Sequence, residues 1–175
     1  MWAKVFGAML IVSATVLWSN AEIAKLRGRV RQLEDFRLAL RLLAAEVGYT
    51  ATPLPRALEQ VACRMETEAV QSFFLSVARR LQGAAAADDA GAAWLETVRH
   101  LQNRLQLTAK DWTVLSRTAA GLGGLGREDQ LKQLGAAETQ LAAHATAAAA
   151  QAAGGEKMWR YLGVLTGMAV VILLL

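Results

Sequence analysis

The C-terminal stretch Met158–Leu175 has the sequence MWRYLGVLTGMAVVILLL, and from Tyr161 to the end it carries no charged side chain. A helix rises about 1.5 Å per residue, so this stretch is about 27 Å long, close to the ~30 Å hydrocarbon core of a bilayer. Arg160 can extend its charged group towards the headgroups, and Trp159 and Tyr161 suit the interfacial aromatic belt. We therefore predict that residues 158–175 form a transmembrane helix and not the buried last helix of a soluble domain.

The N-terminal stretch shows the same pattern. No charged residue occurs in Val5–Ala21, and tryptophans flank this segment. Residues 1–21 are therefore predicted to form a second transmembrane helix. A cleaved signal peptide, with Ser19–Ala21 as the cleavage site, is the alternative. Signal peptides carry their positive residues before the apolar core, however, and only Lys4 lies there.

Basic residues predict the orientation of the chain. Four of them lie within Lys25–Arg31, just after the first apolar stretch, and Lys157 directly precedes the last one. The positive-inside rule then places residues 22–157 in the cytoplasm as one domain between two spans. The net charge of +4 fits contact with anionic lipid headgroups better than nucleic-acid binding. The lipid bilayer is an expected partner, and nucleic acid is not.

The segment between the spans is predicted to be all-α. Its only prolines are Pro53 and Pro55, and no alternating apolar run indicates a strand. Apolar residues recur instead at steps of three and four. The predicted helices cover residues 22–47, 53–65, 67–82, 88 or 89 to 105, 109–122, and 127 onwards. The predicted fold is thus a six-helix, bundle-like cytoplasmic domain flanked by transmembrane helices.

Three local signals predict where these helices begin or break. Thr52 is expected to cap the second helix, before a proline at its first position. Thr108–Asp111 forms a capping box, and Leu107 and Trp112 are spaced as a hydrophobic staple. Trp112 also belongs to the apolar stripe of the fifth helix. Gly154–Gly155 indicates either a hinge before the last span or, where this segment stays helical, one continuous helix from Arg127 to Leu175.

The sequence offers little chemistry. Gly121–Gly126 matches the dinucleotide-binding pattern G-x-G-x-x-G, but no strand precedes it, so a helix break is the better interpretation. His100 and His144 lie on different helices without companions at ligand spacing, and Cys63 is a lone cysteine. We therefore expect no catalytic residue, cofactor or metal site, and no enzyme activity. Glu46 and Tyr49, at the first helix break, indicate either packing at the turn or contact with a partner.

Three motifs together resemble the stage III sporulation protein AB family. They are EVGYTATPLPRAL at residues 46–58, REDQ at 127–130 and KMWRYLGV at 157–164. The resemblance covers the whole chain. One departure is Gly124–Gly126, where the family usually has small polar or acidic residues before the last helix.

The resemblance implies a membrane protein of endospore-forming bacteria, on the mother-cell side of the outer forespore membrane. It also implies a helical domain similar to the F-type platform proteins of type II secretion. The implied partners are a cytoplasmic secretion-type ATPase and the ring and membrane proteins of the channel between mother cell and forespore.

Two functions follow as hypotheses. The first is a platform that couples the ATPase to the membrane complex, and the second is a passive scaffold or oligomerisation subunit without motor coupling. Gly163 and Gly167 have the small-xxx-small spacing that lets helices pack closely, which favours a homo-oligomer. The residues of the family motifs proposed to contact a partner are Glu46, Tyr49, Thr52, Pro53, Leu54, Pro55, Arg127, Glu128 and Gln130.

Overall fold

A computed structural model describes residues 2–49, 52–83, 90–122 and 126–174. Within these ranges the chain forms six α-helices and one short 3-10 turn, and no strand. The all-α prediction is confirmed. The helices are α1 (Trp2–Tyr49), α2 (Leu54–Ala62), α3 (Glu68–Gly83), α4 (Ala90–Leu101), α5 (Ala109–Thr118) and α6 (Arg127–Leu174), and the 3-10 turn is Ala119–Gly121.

The chain divides into two compact units. Unit 1 comprises Met1–Val30 and Ala147–Leu175, and unit 2 comprises Arg31–Thr146. The limits predicted for the membrane segments, at residues 21 and 158, stay a prediction. Each unit is described separately below.

The core of unit 2 is built from the apolar stripes that the sequence predicts. Apolar side chains at every third or fourth position face inward because 3.6 residues make one helical turn. The predicted stripe residues that are buried are Leu33, Phe36, Leu40, Leu43, Leu58, Val61, Met65, Val70, Phe73, Phe74, Val77, Leu81, Trp94, Val98, Leu105, Leu115, Ala119, Leu122, Leu134 and Leu141.

An aromatic cluster occupies the centre of this core. Phe36, Phe73, Phe74 and Trp94 are all fully buried. Phe73 meets Trp94 edge to face with ring centroids 4.9 Å apart, and Phe36 meets Phe73 at 5.2 Å. Edge-to-face pairs add about 0.5–1.5 kcal/mol beyond the area they bury. The cluster joins α1, α3 and α4.

The indole of Trp94 also provides a hydrogen-bond donor for the C-terminal end of α5. Its Nε1–H donates to the carbonyl oxygen of Leu115 at 2.7 Å in a buried position. Carbonyl groups in the last turn of a helix have no partner within the helix, and a buried one left unpaired is costly. One side chain therefore fills the core and satisfies the end of α5.

The close approach of α4 to the 3-10 turn depends on Gly91. A Cβ at this position would lie 2.8 Å from the carbonyl oxygen of Ala119. Because that oxygen belongs to the backbone, it cannot move aside as a flexible side chain would. A residue without a side chain is required here.

Two buried polar side chains of α1 fix the connections between the other helices. The Oε1 atom of Gln32 accepts a hydrogen bond from the Gln106 backbone N–H at 2.7 Å. Asp35 Oδ2 accepts one from the Thr67 N–H, also at 2.7 Å, directly before α3. Both side chains are buried. They lie on α1 among its apolar residues, and the sequence pattern did not single them out.

An ion-pair cluster joins α1 to α6 within unit 2. The carboxylate of Glu138 accepts hydrogen bonds from Arg37 Nε at 2.7 Å and from an Arg41 guanidinium nitrogen at 2.8 Å. These bonds, Arg37 first, hold the pKa of the Glu138 carboxyl below its usual value, and burial opposes them. The pKa of Arg37 is raised, chiefly by its hydrogen bond to Glu138.

Unit 1 contains a paired α1–α6 segment of its own. Arg27 binds Glu156 with two hydrogen bonds, from Nε at 2.5 Å and from a terminal guanidinium nitrogen at 2.8 Å. Arg29 donates to Gln151 at 3.2 Å. Of the two alternatives for Gly154–Gly155, the continuous helix is the one observed, because both glycines lie inside α6. A Cβ on Gly155 would lie 2.7 Å from Leu26 Cδ1, so the glycine makes room for α1.

None of the helices, over the residues described, has a segment that is both long and apolar enough to qualify as a membrane span. The two predicted spans are therefore not confirmed by the structure.

Candidate partner-binding site

Two of the three family motifs, far apart in the sequence, meet at one end of unit 2. Gly48 lies near the end of α1, and Leu131 lies in the first turns of α6. The Cδ2 atom of Leu131 is 3.7 Å from the position that a Cβ on Gly48 would occupy. Gly48 belongs to the first motif (46–58) and Leu131 directly follows the second (127–130), so this approach brings the two motifs close to each other.

The turn after α1 is held by a side-chain hydrogen bond. The hydroxyl of Thr52 donates to Glu46 Oε2 at 3.3 Å. The prediction that Thr52 caps α2 is wrong: the N-cap position is Pro53, and no side chain caps this end. The physical reason is that the Thr52 hydroxyl is engaged by Glu46. Thr50 and Ala51 lie outside the described residues.

The first turn of α2 follows directly. Its N-cap Pro53 is exposed, and its carbonyl oxygen accepts from the Ala57 N–H at 3.1 Å. Leu54 and Pro55 are half-buried. Pro55 is tolerated because the N–H groups of a first turn have no helical partner in any case.

Tyr49 is the most exposed large side chain at this end. It is the last residue of α1 and is 92% exposed. Tyrosine combines a large apolar ring with a polar hydroxyl, and it is enriched at protein interfaces. Its exposure favours the partner-contact interpretation over packing at the turn.

The beginning of α6 presents charge. Arg127, Glu128 and Asp129 are exposed, whereas Gln130 is half-buried. Acidic residues in a first turn interact favourably with the helix dipole. The Gln130 N–H donates to the Gly126 carbonyl at 3.0 Å, so Gly126 provides the start of this helix. Gly124 and Leu125, where the chain departs from the family pattern, lie outside the described residues.

The chemistry of this end of unit 2 is that of an exposed polar surface. It combines one exposed aromatic ring with side chains of both charges. Across the described ranges, no three His, Cys, Asp or Glu side chains form a group that could hold a metal ion.

One histidine has an acidic companion that sequence reasoning missed. His144 Nδ1 lies 2.7 Å from Oδ1 of Asp111, which is fully buried. The Thr108–Asp111 capping box is confirmed, with the Thr108 N–H donating to Asp111 Oδ2 at 2.8 Å. Asp111 thus serves two helices. The capping-box motif predicted its role towards Thr108, but nothing local indicated His144.

The glycine pair proposed for helix packing lies in unit 1. A Cβ on Gly163 would meet no atom within 4 Å. Gly163 borders an apolar cavity of about 280 Å³. The other residues that line it are Ala14, Trp18, Ser19, Trp159, Leu162 and Thr166. Gly167 belongs to α6, but its surroundings fall outside the described residues.

Comparisons with known proteins identify the family. A family profile described as Stage III sporulation protein AB matches residues 4–175. The chain belongs to the stage III sporulation protein AB family. It is 34% identical over 173 residues to the Stage III sporulation protein AB of Bacillus subtilis (strain 168), covering 98% of this chain and 99% of that protein.

A solved structure supports the family assignment at the level of the fold. The chain is similar to a structure of Stage III sporulation protein AB with a TM-score of 0.67 and 28% identity. The alignment covers 72% of this chain and 97% of the solved one. The resemblance inferred from the three motifs is therefore confirmed, and the family is one of sporulation proteins.

Proposed function

We propose that this protein is a membrane platform of the sporulation channel, which couples a cytoplasmic secretion-type ATPase to the channel's ring and membrane proteins. The observation that carries the proposal is the meeting of the first two family motifs around Gly48 and Leu131, beside the exposed ring of Tyr49. An exposed tyrosine on a surface with an adjacent charged helix start is the composition expected of a binding hot spot.

The anchoring part of the proposal rests on the two apolar ends. Residues 1–21 and 158–175 insert in the bilayer of the outer forespore membrane, and the domain between them faces the mother-cell cytoplasm. The basic residues around Arg27 support this orientation through the positive-inside rule. A domain fixed to the membrane at both ends transmits the motion of a cytoplasmic partner to both spans.

The test uses the full chain in nanodiscs and a purified secretion-type ATPase from the same organism. Tyr49→Ala removes the ring at a position that is 92% exposed, so folding is expected to be unaffected. We expect it to weaken ATPase binding by about tenfold or more, as truncation of an aromatic hot spot does. The measurement is the binding isotherm together with the rate of ATP hydrolysis.

Leu38→Ala is the matched control, because Leu38 is an exposed apolar residue on the same helix within unit 2. It is expected to change binding less than twofold. Binding of Tyr49→Ala that equals that of the wild type would contradict the proposed surface. No binding by the wild-type chain would remove the coupling function itself.

A second candidate is a passive scaffold that assembles the membrane complex. The open surface of Gly163 and the apolar cavity beside it favour packing against a second helix. This function predicts self-association of the full chain without any effect on ATP hydrolysis.

A further inference from the structure

Unit 2 carries an open groove between the end of α4 and the helix α5. Its volume is about 620 Å³, within the ~300–1,000 Å³ range of binding pockets. The side chains that line it are Val98, Gln102, Asn103, Leu107, Ala109, Trp112, Thr113, Ser116 and Arg117. The groove shares no residue with the family motifs described above.

Trp112 is the residue that makes this groove unusual. The sequence predicts it in the core stripe of α5, together with Leu115. Leu115 is fully buried, but Trp112 is only half-buried and lines the groove. That part of the prediction is wrong. Trp94, in contrast, is fully buried, and its indole binds the carbonyl of Leu115.

The groove is held in shape by polar contacts. The Gln106 N–H binds the buried Gln32, which fixes the chain directly before Leu107. The Thr108–Asp111 capping box fixes the first turn of α5, and Asp111 in turn meets His144. A surface that is already ordered loses little conformational entropy when it binds a partner.

The exposed charges in the stretch of chain that forms the groove are all positive. Arg99, Arg104, Lys110 and Arg117 are all exposed. In the described part of the chain, none of the four takes part in an ion pair. The only acidic residue between positions 97 and 122 is Asp111, and it is fully buried.

Helical spacing connects these cations to the groove. Lys110, Thr113 and Arg117 are three and four residues apart on α5, so they share one face. Thr113 and Arg117 themselves line the groove. The groove thus has an apolar floor with a cationic rim.

We propose that this groove binds an acidic amphipathic helix of a protein partner, with apolar side chains seated beside Trp112 and carboxylates meeting Lys110 and Arg117. Amphipathic helices bind apolar grooves through anchors at i, i+3 or i+4, and i+7. Tryptophan and arginine are the residues most enriched at binding hot spots. An anionic lipid surface fits the charge but not the shape, because a flat bilayer contacts protruding side chains better than a concave groove.

The probe is a labelled helical peptide with leucines along one face and glutamates along the other. Its binding to the full chain in neutral nanodiscs is measured by fluorescence anisotropy. We expect binding that weakens with salt, and at least about tenfold weaker binding when the glutamates are replaced by glutamines. Replacing the leucines by serines should have a similar effect, because both the floor and the rim contribute.

Thr113→Glu tests the groove from the side of the protein. It places a negative charge on the groove wall at an exposed position, so the fold should be retained. Thr139→Glu is its matched control, because both threonines are exposed and both donate to the carbonyl four residues earlier. We expect Thr113→Glu to weaken peptide binding by about tenfold or more, and Thr139→Glu to weaken it by less than twofold.

Three results would overturn the inference. The first is equal binding of the glutamate and glutamine peptides. The second is equal binding by the two threonine variants. The third is binding to vesicles rich in anionic phospholipid, lost in Thr113→Glu, without binding of the peptide, which would assign the cationic face to a membrane. None of these results depends on whether an ATPase binds at Tyr49.

Discussion

The Oδ1 atom of Asp111, at the start of α5, lies 2.7 Å from Nδ1 of His144 on α6. The other oxygen of the same carboxylate accepts from both the N–H and the hydroxyl of Thr108. A fully buried acid is tolerated because every side of it meets a donor. This carboxylate is the point where the last two helices of unit 2 are joined.

We expect Asp111→Ala to lower the free energy of unfolding by about 2–4 kcal/mol. The change removes the helix cap and leaves the Thr108 N–H and the His144 ring without their acceptor. Asp111→Asn retains one hydrogen-bond acceptor, so it should lower the free energy of unfolding by less than Asp111→Ala does. Urea unfolding followed by circular dichroism measures both, with the exposed neighbouring change Lys110→Ala as the control. Equal stability of Asp111→Ala and Lys110→Ala would show that the buried pair does not stabilise the fold.

The contact between Gly91 and Ala119 predicts opposite effects for two glycines. Gly91→Ala introduces a Cβ 2.8 Å from a backbone oxygen. Like other overpacking changes, it should lower the free energy of unfolding by about 1–3 kcal/mol. Gly135→Ala, in the third turn of α6 with open space around the glycine, should raise the free energy of unfolding by about 0.5–1 kcal/mol through helix propensity. Thermal unfolding compares them. Stabilisation or no change in Gly91→Ala would contradict the close approach of α4 to the 3-10 turn.

The Glu138 cluster predicts a specific pH dependence. Its folded-state pKa is lowered by Arg37 and Arg41, so the unfolded chain binds more protons than the folded one in acid. The stabilisation is therefore present above the unfolded pKa of about 4.3 and is lost as the pH falls through the lower, folded value. Glu138→Gln should lower Tm by about 2–4 °C at pH 7. At pH values below the unfolded pKa, the difference in Tm between the variant and the wild type should be smaller.

Glu66→Gln is the control for the pH experiment. Glu66 is exposed and has no ion pair among the described residues. It should leave the Tm at pH 7 within about 1 °C of the wild type. A Tm difference between Glu138→Gln and the wild type that stays constant from neutral to acid pH would rule out this linkage.

The lone cysteine provides a direct test of the proposed orientation. Cys63 is exposed, so a membrane-impermeant maleimide should label it after permeabilisation but not in intact cells. Cys63→Ser should abolish labelling and identifies the signal. Labelling in intact cells would place unit 2 outside the cytoplasm and remove a cytoplasmic ATPase as its direct partner.

The open surface at Gly163 predicts an effect on self-association. Gly163→Ile combined with Gly167→Ile adds bulk along the small-xxx-small face and should abolish oligomers of the full chain in detergent. Leu165→Ile is the control, because Leu165 is 63% exposed and its volume is unchanged. Sedimentation velocity measures the result. Oligomers that survive the double change would show that the glycines do not form the contact.

Much of unit 2 was predictable because helical patterns are local. The stripe from Val70 to Leu81 is buried as predicted, and the Thr108–Asp111 capping box formed as predicted. The errors arose where contacts outside the helix concerned decide the outcome. Thr52 does not cap α2, because its hydroxyl is engaged by Glu46. Trp112 is only half-buried, although it belongs to the apolar stripe of α5.

The sequence predicted which residues belong to the candidate site, but not that they lie close together. The motifs around Tyr49 and Arg127 were found from the sequence alone, yet nothing in their spacing showed that they meet. The groove beside Trp112 was missed because its rim combines cations of α4, α5 and the chain between them. One signal in the sequence indicated a basic surface here, since Asp111 is the only acidic residue between residues 97 and 122.

The sequence by itself determined the all-α class, the six helices and the family. Each of these depends on periodicity or on motifs that span a few turns of chain. Only the tertiary structure decided that Gly48 meets Leu131 and that His144 meets Asp111. These contacts join residues more than thirty positions apart. They form because burying the shared apolar stripes selects one packing of the helices, and no local preference encodes that choice.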